Sequence, residues 1–330
     1  MWKLLISVNK KLVYAIPVMM VLGFVFGKTV DAATVKQLKQ LIIPFTFLMV
    51  YPMMVTLNIK HLKEGIKSVK LQIVTQLINF LVIPFLAYGL GLYFFPDSNY
   101  MALGLLLAAL LPTSGMTISW TGFAKGNMGA AINMTVIGLT LGSLLTPVYV
   151  QSLLGARVDM DIVLVIKQIV YIVFIPMTLG FITRNYFVKK HGLKGFKQKL
   201  APRFPAMSTI GVLGIVFVAI GLKAEKLSQD PLILWQIFQP LLIIYVFNYL
   251  LATVIGKFMF KRGDGIALVY GTVMRNLSIA LAIAINAFGA AGADAALVIA
   301  ASYIIQVQSA AWYVKLTDVI FGPIEEGKDM

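Results

Sequence analysis

The chain contains no cysteine, which removes disulfides, thiolate metal sites and cysteine nucleophiles from its chemistry. Histidine is nearly as rare. His61 and His191 are the only two, both in basic, loop-like stretches, and they argue against a histidine-built metal or catalytic cluster. Charge is thin: 12% of the 330 residues are Asp, Glu, Lys or Arg, where a soluble domain carries roughly 25%. The 13 acidic residues all fall in or near expected loops or helix ends, Asp97, Asp264 and Asp294 among them. A proton relay through intramembrane carboxylates is therefore disfavoured. So is a membrane-embedded enzyme, because no carboxylate, histidine or cysteine group converges, and no cofactor is expected.

What the chain has in quantity is apolar surface, with 59% hydrophobic residues and a mean hydropathy of +0.88. Too little polar material remains to cover a water-exposed exterior, so the missing solvent is lipid. The net charge is +15, which in a soluble protein would point to nucleic acid. Here the basic residues punctuate apolar segments instead of forming one patch. They read as topology signals, and no nucleic-acid partner is expected.

A membrane-spanning helix takes about 20 apolar residues. On that yardstick spans are expected near 12–27, 40–58, 71–95, 102–123, 128–154, 162–187, 206–222, 232–260, 265–287 and 295–321. The runs lack the alternation of barrel strands, and lipid tolerates no unpaired backbone, so they are helices. The expected fold class is an all-α polytopic membrane protein of about ten transmembrane helices. Residues 1–27 mimic a secretory signal, with Lys3, Lys10 and Lys11 ahead of an apolar run. Val30-Asp31-Ala32 is a poor cleavage site and nine more spans follow, so the segment reads as the first helix. With the N-terminus inside, Lys60, Lys63, Lys67, Lys70, Lys257, Lys261, Arg262 and Lys328 join the inner connections, while Lys28, Arg157 and Lys223 lie outside. That bias puts the chain in the cytoplasmic membrane with both termini in the cytoplasm. The basic linker 188–205 reads either as a segment lying on the anionic inner leaflet or as a solvated loop that only sets topology. Membrane lipid is the expected macroscopic partner and a monomer the expected functional unit.

The halves echo one another. Ile16-Pro17 precedes Leu22-Gly23-Phe24 in the first span, and Ile175-Pro176 precedes Leu179-Gly180-Phe181 in the sixth, the prolines 159 apart. Tyr149-Val150 and Tyr313-Val314 are 164 apart, and the polar breaks near Thr113 and Arg275 are 162 apart. Three correspondences at nearly one offset indicate two five-helix halves, and an odd number of spans per half inverts the second. The first inverted repeat proper covers about 12–154 and the second about 162–321. In chain order, 1–187 holds the first repeat running into the sixth helix, 188–205 the linker and 206–330 the remainder. Inverted halves allow two related conformations, one open to each side, which argues for a transporter.

Span four contains Pro112-Thr113-Ser114-Gly115-Met116-Thr117-Ile118-Ser119-Trp120. Proline removes a backbone donor and glycine relaxes the chain, so Pro112 and Gly115 are expected to break the helix. A broken helix offers free amides at one half-helix N-terminus, which attract an anion, and free carbonyls at the other end, which suit Na⁺. A plain proline kink whose hydroxyls bond their own backbone is the competing account. Span nine holds Gly271-Thr272-Val273-Met274-Arg275-Asn276-Leu277-Ser278. An arginine at mid-membrane costs about 2.5–3.5 kcal/mol on insertion scales and needs a partner. With no acid at that depth, the partner is backbone carbonyl, water or a bound anion, unless the side chain snorkels to the inner interface. Gln72, Gln76 and Asn79 share one face of span three, and Asn133 and Gln306 lie in spans five and ten. Helix–helix hydrogen bonding explains these equally well. The candidate solute ligands are Arg275, Asn276, Thr113, Ser114 and Thr117; the candidate ion ligands are Ser114, Ser119, Asn133, Thr272, Ser278 and Gln76.

At these residues the chain resembles the bile acid:sodium symporter superfamily, and more closely its arsenical-resistance permease branch. Met116 through Trp120 followed by Ala124-Lys125-Gly126-Asn127 is similar to the family's tryptophan-bearing break and following turn, and Arg275-Asn276 followed by Ala280-Leu281-Ala282-Ile283-Ala284 is similar to a run in the arsenical branch. The resemblance covers nearly the whole chain and implies ten spans, two inverted repeats, and broken helices four and nine crossing at the centre. Two departures stand out. Arsenical permeases carry a cysteine where this chain has Thr113, so capture of trivalent arsenic by sulfur is impossible here. Bile-acid-type members place a sodium-binding glutamate where this chain has Gly271-Thr272, and Arg275 stands close by.

The expectation is a secondary active transporter that moves a small organic anion or oxyanion by alternating access, with Na⁺ as a candidate coupling ion. The alternative is an arsenite or antimonite efflux permease that works without a thiol. A passive channel is a further reading that only flux measurements separate.

Overall fold

The structure is a computed structural model and describes residues 2–56, 68–158, 161–289 and 291–323. The inner-connection residues Lys60, His61, Lys63 and Lys67, and Lys328 near the C-terminus, lie outside the described residues. Among the described residues every element is helical. Six helices are long and apolar enough to cross a membrane, and four shorter apolar helices accompany them.

The order begins with α1 (Trp2–Lys10), α2 (Leu12–Thr29) and α3 (Ala32–Gln37), and a 3₁₀ turn leads into α4 (Ile42–Thr56). A π turn at Ile78–Val82 joins α5 (Val69–Leu77) to α6 (Ile83–Phe94). Then come α7 (Asn99–Leu110), α8 (Gly115–Phe123) and α9 (Met128–Leu154). A second π turn, Val170–Phe174, joins α10 (Ile162–Ile169) to α11 (Ile175–Gly195). The remainder is α12 (Arg203–Gln229), α13 (Ile233–Met259), α14 (Arg262–Val273), α15 (Leu277–Phe288) and α16 (Gly292–Phe321).

Both π turns sit immediately before an Ile-Pro pair, Ile83-Pro84 and Ile175-Pro176. Proline cannot donate to the carbonyl four residues back, and a local widening of the helix absorbs the missing bond. At the first turn the carbonyl that Pro84 leaves free, that of Phe80, accepts from the Tyr149 hydroxyl on α9. A helix defect dictated by one residue is thereby turned into a contact between helices.

The helices form two bundles. In the smaller, α12 packs along α2 and α4, and α11 along α4. Glycine makes that closeness: a Cβ on Gly211 of α12 would lie 2.4 Å from the Met49 backbone nitrogen. In membranes such small-residue contacts supply the packing that hydrophobic burial cannot, since lipid is as apolar as leucine. In the larger bundle α13 packs on α14, and α16 on α7 and α15. The outer face of α13 shows Leu242, Val246, Leu250 and Val254 exposed, while Leu241, Tyr245, Asn248 and Ala252 on the opposite face are buried. The exposed stripe is apolar, as a lipid-facing surface must be.

The structure adds detail to two expectations. The stretch 188–205, read as a linker, is helical apart from a kink at Gly192 (φ 71°) and a turn at 201–202. Lysine, leucine and glutamine are good helix formers, and the positive φ at Gly192 is one that glycine adopts without strain. The seventh segment, expected at 206–222, runs from Arg203 to Gln229 as α12. Hydropathy sees the apolar section of a helix and not its polar ends.

Candidate functional site

Two helical lines are interrupted in the larger bundle, and the interruptions meet. Residues 111–114 separate α7 from α8, and residues 274–276 separate α14 from α15. The two extended pieces run antiparallel, bridged at Pro112 and Arg275. Thr113 N donates to the Met274 carbonyl at 2.7 Å, and Asn276 N donates to the Leu111 carbonyl at 2.7 Å. This two-bond bridge is how backbone that cannot be helical stays satisfied away from water.

Thr113 adopts φ 64°, a left-handed conformation that costs a β-branched residue on the order of 1–2 kcal/mol. Its hydroxyl donates to the Pro112 carbonyl (2.6 Å), with the Met134 and Thr135 carbonyls of α9 each 3.3 Å away. Gly138 makes room for it, because a Cβ there would sit 2.7 Å from the Thr113 hydroxyl oxygen.

Four half-helix ends converge on this crossing, in two kinds. The C-terminal ends of α7 and α14 present carbonyls, and buried side chains cap them. Asn79 donates to the Gly271 carbonyl (3.0 Å) and Asn248 to that of Thr272 (2.8 Å). The Arg275 guanidinium donates from Nη1 to Asn79 Oδ1 and to the Ala109 carbonyl, each at 3.1 Å. Arg275 is 4% exposed, so it does not snorkel; carbonyl and amide oxygens are its partners, and its Nη2 has none. Gln306 of α16 clasps the same residue by its backbone, accepting from Arg275 N (2.7 Å) and donating to Arg275 O (3.2 Å). The Tyr245 hydroxyl donates to Gln306 Oε1 at 3.0 Å.

The N-terminal ends of α8 and α15 present amides. Ser114 caps α8 by accepting from Met116 N (3.2 Å), and the Thr117 hydroxyl accepts from Ser114 N (3.1 Å). Asn276 caps α15 by accepting from Ile279 N at 3.3 Å. Its side-chain nitrogen Nδ2 has no partner although the residue is 1% exposed. Both ends face a cavity of about 330 Å³ between the two bundles. The larger bundle gives this cavity Ser114, Ser119, Asn276, Ser278, Tyr303 and Gln306, with Arg275. The smaller gives Met53, Thr56, Pro205, Ser208, Thr209 and Val212. Among the described residues no carboxylate lines it, and Arg275 is the one charged residue that does. Ser278 and Tyr303 share a hydrogen bond of 2.6 Å at its wall.

Of the residues singled out in the sequence, Ser114, Gly115, Ser119, Arg275, Asn276 and Ser278 come together on the cavity. Thr113 and Thr117 do not: both are fully buried, and their hydroxyls serve backbone at the break. Thr272 bonds within its own helix, to the Val269 carbonyl. Gln76 and Asn133 lie off the cavity, on α5 and α9, and keep unpartnered amide atoms. The cavity residues that the sequence reading passed over are Met53, Thr56, Ser208, Thr209 and Tyr303. Ser208-Thr209 was the available signal, two adjacent hydroxyls at the start of an apolar span.

Residues 43–230 match the family model described as Sodium Bile acid symporter family. The arsenical-resistance protein Acr3 of Alkaliphilus metalliredigens is 28% identical over 261 residues, covering 74% of this chain and 71% of that protein. Acr3 of Corynebacterium glutamicum is 23% identical over 259 residues, covering 75% and 70%. Sodium/bile acid cotransporter 7 of Xenopus tropicalis is 22% identical over 238 residues, covering 68% and 66%. With this match and its several apolar helices, the chain is a multi-pass membrane transporter that belongs to the sodium bile acid symporter family.

Proposed function

We propose that the protein carries a small organic anion across the cytoplasmic membrane by alternating access, the two bundles rocking about a crossing that holds the solute. The observation that carries this reading is the cavity itself: two half-helix N-termini face it, and among the described residues no carboxylate lines it. Each helix N-terminus favours an anion by about 0.3–1 kcal/mol when exposed and up to ~2 kcal/mol when partly buried. Two such ends and one arginine make the site selective for negative charge. The volume of about 330 Å³ lies at the low end of small-molecule sites, roughly 300–1,000 Å³. Met53, Pro205 and Val212 supply apolar wall opposite the polar one, which suits an anion with a short apolar body better than a bare oxyanion. Ser114, Asn276 and Ser278 contact the solute, Arg275 supplies charge from behind, and Thr113 and Thr117 hold the break open.

In this reading the chain has ten spans in two inverted five-helix repeats, both termini are cytoplasmic, and the monomer is the working unit. The cavity lies at the end of α4 and the start of α12, so this conformation is open toward the cytoplasm. Na⁺ remains the candidate coupling ion, with the unpartnered oxygens of Gln76 and Asn133 as its candidate ligands. Counterflow in proteoliposomes against a panel of small carboxylates, sulfonates and oxyanions, with and without Na⁺, tests the proposal. Saturable exchange of at least one anion is expected; indifference to every anion would sink it. Two relatives named as arsenical-resistance proteins favour a second reading, arsenite or antimonite efflux without a thiol. Unrelieved metalloid sensitivity in a deletion host expressing this chain disposes of that.

A further inference from the structure

Helix α11 carries a column of exposed apolar residues along one side, Ile175, Leu179, Ile182 and Tyr186, while Pro176, Gly180 and Arg184 are buried. Spacings of four, three and four residues keep the column on one helical face. From Ile175 to Tyr186 it runs ~16 Å at 1.5 Å per residue, close to the ~15 Å of hydrocarbon in one leaflet of a bilayer. One turn further on, Lys189 and Lys190 stand three and four residues past Tyr186, on either side of the same line. Both are exposed, and the Lys190 ammonium lies over the Tyr186 ring, 5.9 Å from its centroid.

Beyond Lys190 the chain is basic and held in place. Gly192 turns it with φ 71°, and Phe196, 2% exposed, anchors the next turn. The Phe196 ring centroid lies 6.3 Å from that of Phe204 and 5.7 Å from the Arg184 guanidinium. Around this anchor Lys194, Lys197, Lys199 and Arg203 are exposed, and so is Leu193. No acidic residue occurs between Asp161 and Glu225. Among the described residues none of these six exposed cations is paired with a carboxylate. A loop that only sets topology needs the cations. It has no need of an apolar column, one leaflet long, that leads up to them.

We infer that this face of α11 binds an anionic phospholipid, with an acyl chain along the column and the phosphate at Lys189 and Lys190. The four cations beyond the kink widen the positive surface around that phosphate. A zwitterionic lipid matches the column but brings its own cation to the lysines. A soluble anion matches the lysines and leaves the column without a partner. Ala201 and Pro205, just past Lys199, line the first cavity, so a lipid that holds the lysines also steadies the cavity wall. Only that last consequence rests on the anion-transport reading; the lipid site does not.

The full chain, delipidated in a non-ionic detergent, is titrated with phosphatidylglycerol and with phosphatidylcholine, and bound lipid is read by native mass spectrometry. Phosphatidylglycerol is expected to bind the more tightly. A lysine near an anionic surface contributes on the order of fivefold, so Lys189→Gln with Lys190→Gln should raise the half-saturating phosphatidylglycerol concentration about 25-fold. Arg157→Gln with Lys167→Gln removes the same charge from exposed residues elsewhere and should leave it nearly unchanged. Glycerol phosphate, the headgroup without chains, should not displace the bound lipid. Equal affinity for the two lipids, an unshifted titration in the Lys189/Lys190 double variant, or an equal shift in the control variant overturns the inference. So does displacement by glycerol phosphate, which would mark a site for a soluble anion. Counterflow of anions is then compared in vesicles of the two lipids. Absence of flux in both would sink the transport reading and leave the titration to decide the lipid site.

Discussion

Replacing Arg275 by glutamine removes the one charge that the described residues bring to the cavity, while leaving an amide able to donate to Asn79 or to the Ala109 carbonyl. Two effects compete in stability. The substitution gives up at least one charge-assisted hydrogen bond, worth about 1.5–3 kcal/mol. It also relieves the ~2.5–3.5 kcal/mol cost of holding a guanidinium at mid-membrane. The two nearly cancel, so Arg275→Gln is expected to fold. Binding has no such compensation. The anchored guanidinium reaches toward Asn79 and Ala109, about one side-chain length behind the backbone that walls the cavity, roughly 7 Å. At an effective dielectric of about 20, Coulomb's law gives 332/(20 × 7), or ~2 kcal/mol, which is ~30-fold in affinity. The half-saturating anion concentration in counterflow should therefore rise about 30-fold, with the thermal midpoint in detergent nearly unchanged. Arg275→Lys keeps the charge and should lose only several-fold. Glutamine with wild-type affinity, or equal weakening of a neutral solute analogue, would refute the electrostatic role of Arg275.

Asn276→Ala removes the α15 cap and, with it, the side chain of a residue that lines the cavity. It should cost ~1 kcal/mol of stability, read as a lower thermal midpoint, and weaken anion exchange, whereas Asn276→Asp should restore the cap but repel the anion. Gly211→Leu drives a side chain into the Met49 backbone, where even a Cβ would lie at 2.4 Å; aggregated protein on size exclusion is expected. Thr113→Cys places a thiol at a position with 0% exposure that does not line the cavity. It should react with a soluble maleimide far more slowly than Ser208→Cys, and should confer no arsenite resistance on a sensitive host.

The sequence exposed the helical segments because lipid demands long apolar runs, and it exposed the interruptions because Pro112 and the Arg275-Asn276 pair stand out against such runs. Where polar residues sit decided less than where they point. Thr113 and Thr117 read as ligands by type and depth, but a positive φ at Thr113 and the capping of α8 turn both hydroxyls to the backbone. Arg275 was legible as buried. That its partners would be Asn79 and the Ala109 carbonyl was not, because they lie 196 and 166 residues away in sequence. Ser208, Thr209 and Met53 belong to the facing bundle, and only the seam between bundles makes them cavity residues. No local pattern carries that information.

The four helix ends at the crossing are sorted by sign, and the sorting bears on coupling. Carbonyl ends are met by resident donors, Arg275 and the amides of Asn79 and Asn248, which do not leave with the solute. Amide ends are left facing the cavity. In the proposed reading an anion arriving there is neutralised by fixed protein charge, so it needs no companion cation for its binding energy. A monovalent anion moved alone carries charge across the membrane. Its distribution should then respond to membrane potential by about 2.3 kcal/mol per 100 mV, close to 50-fold in accumulation ratio. Proteoliposomes with a potassium diffusion potential measure this directly. If one Na⁺ travels with each anion, bound among Gln76 and Asn133, the ratio will ignore potential and follow the sodium gradient instead, and the idea that resident charge suffices fails.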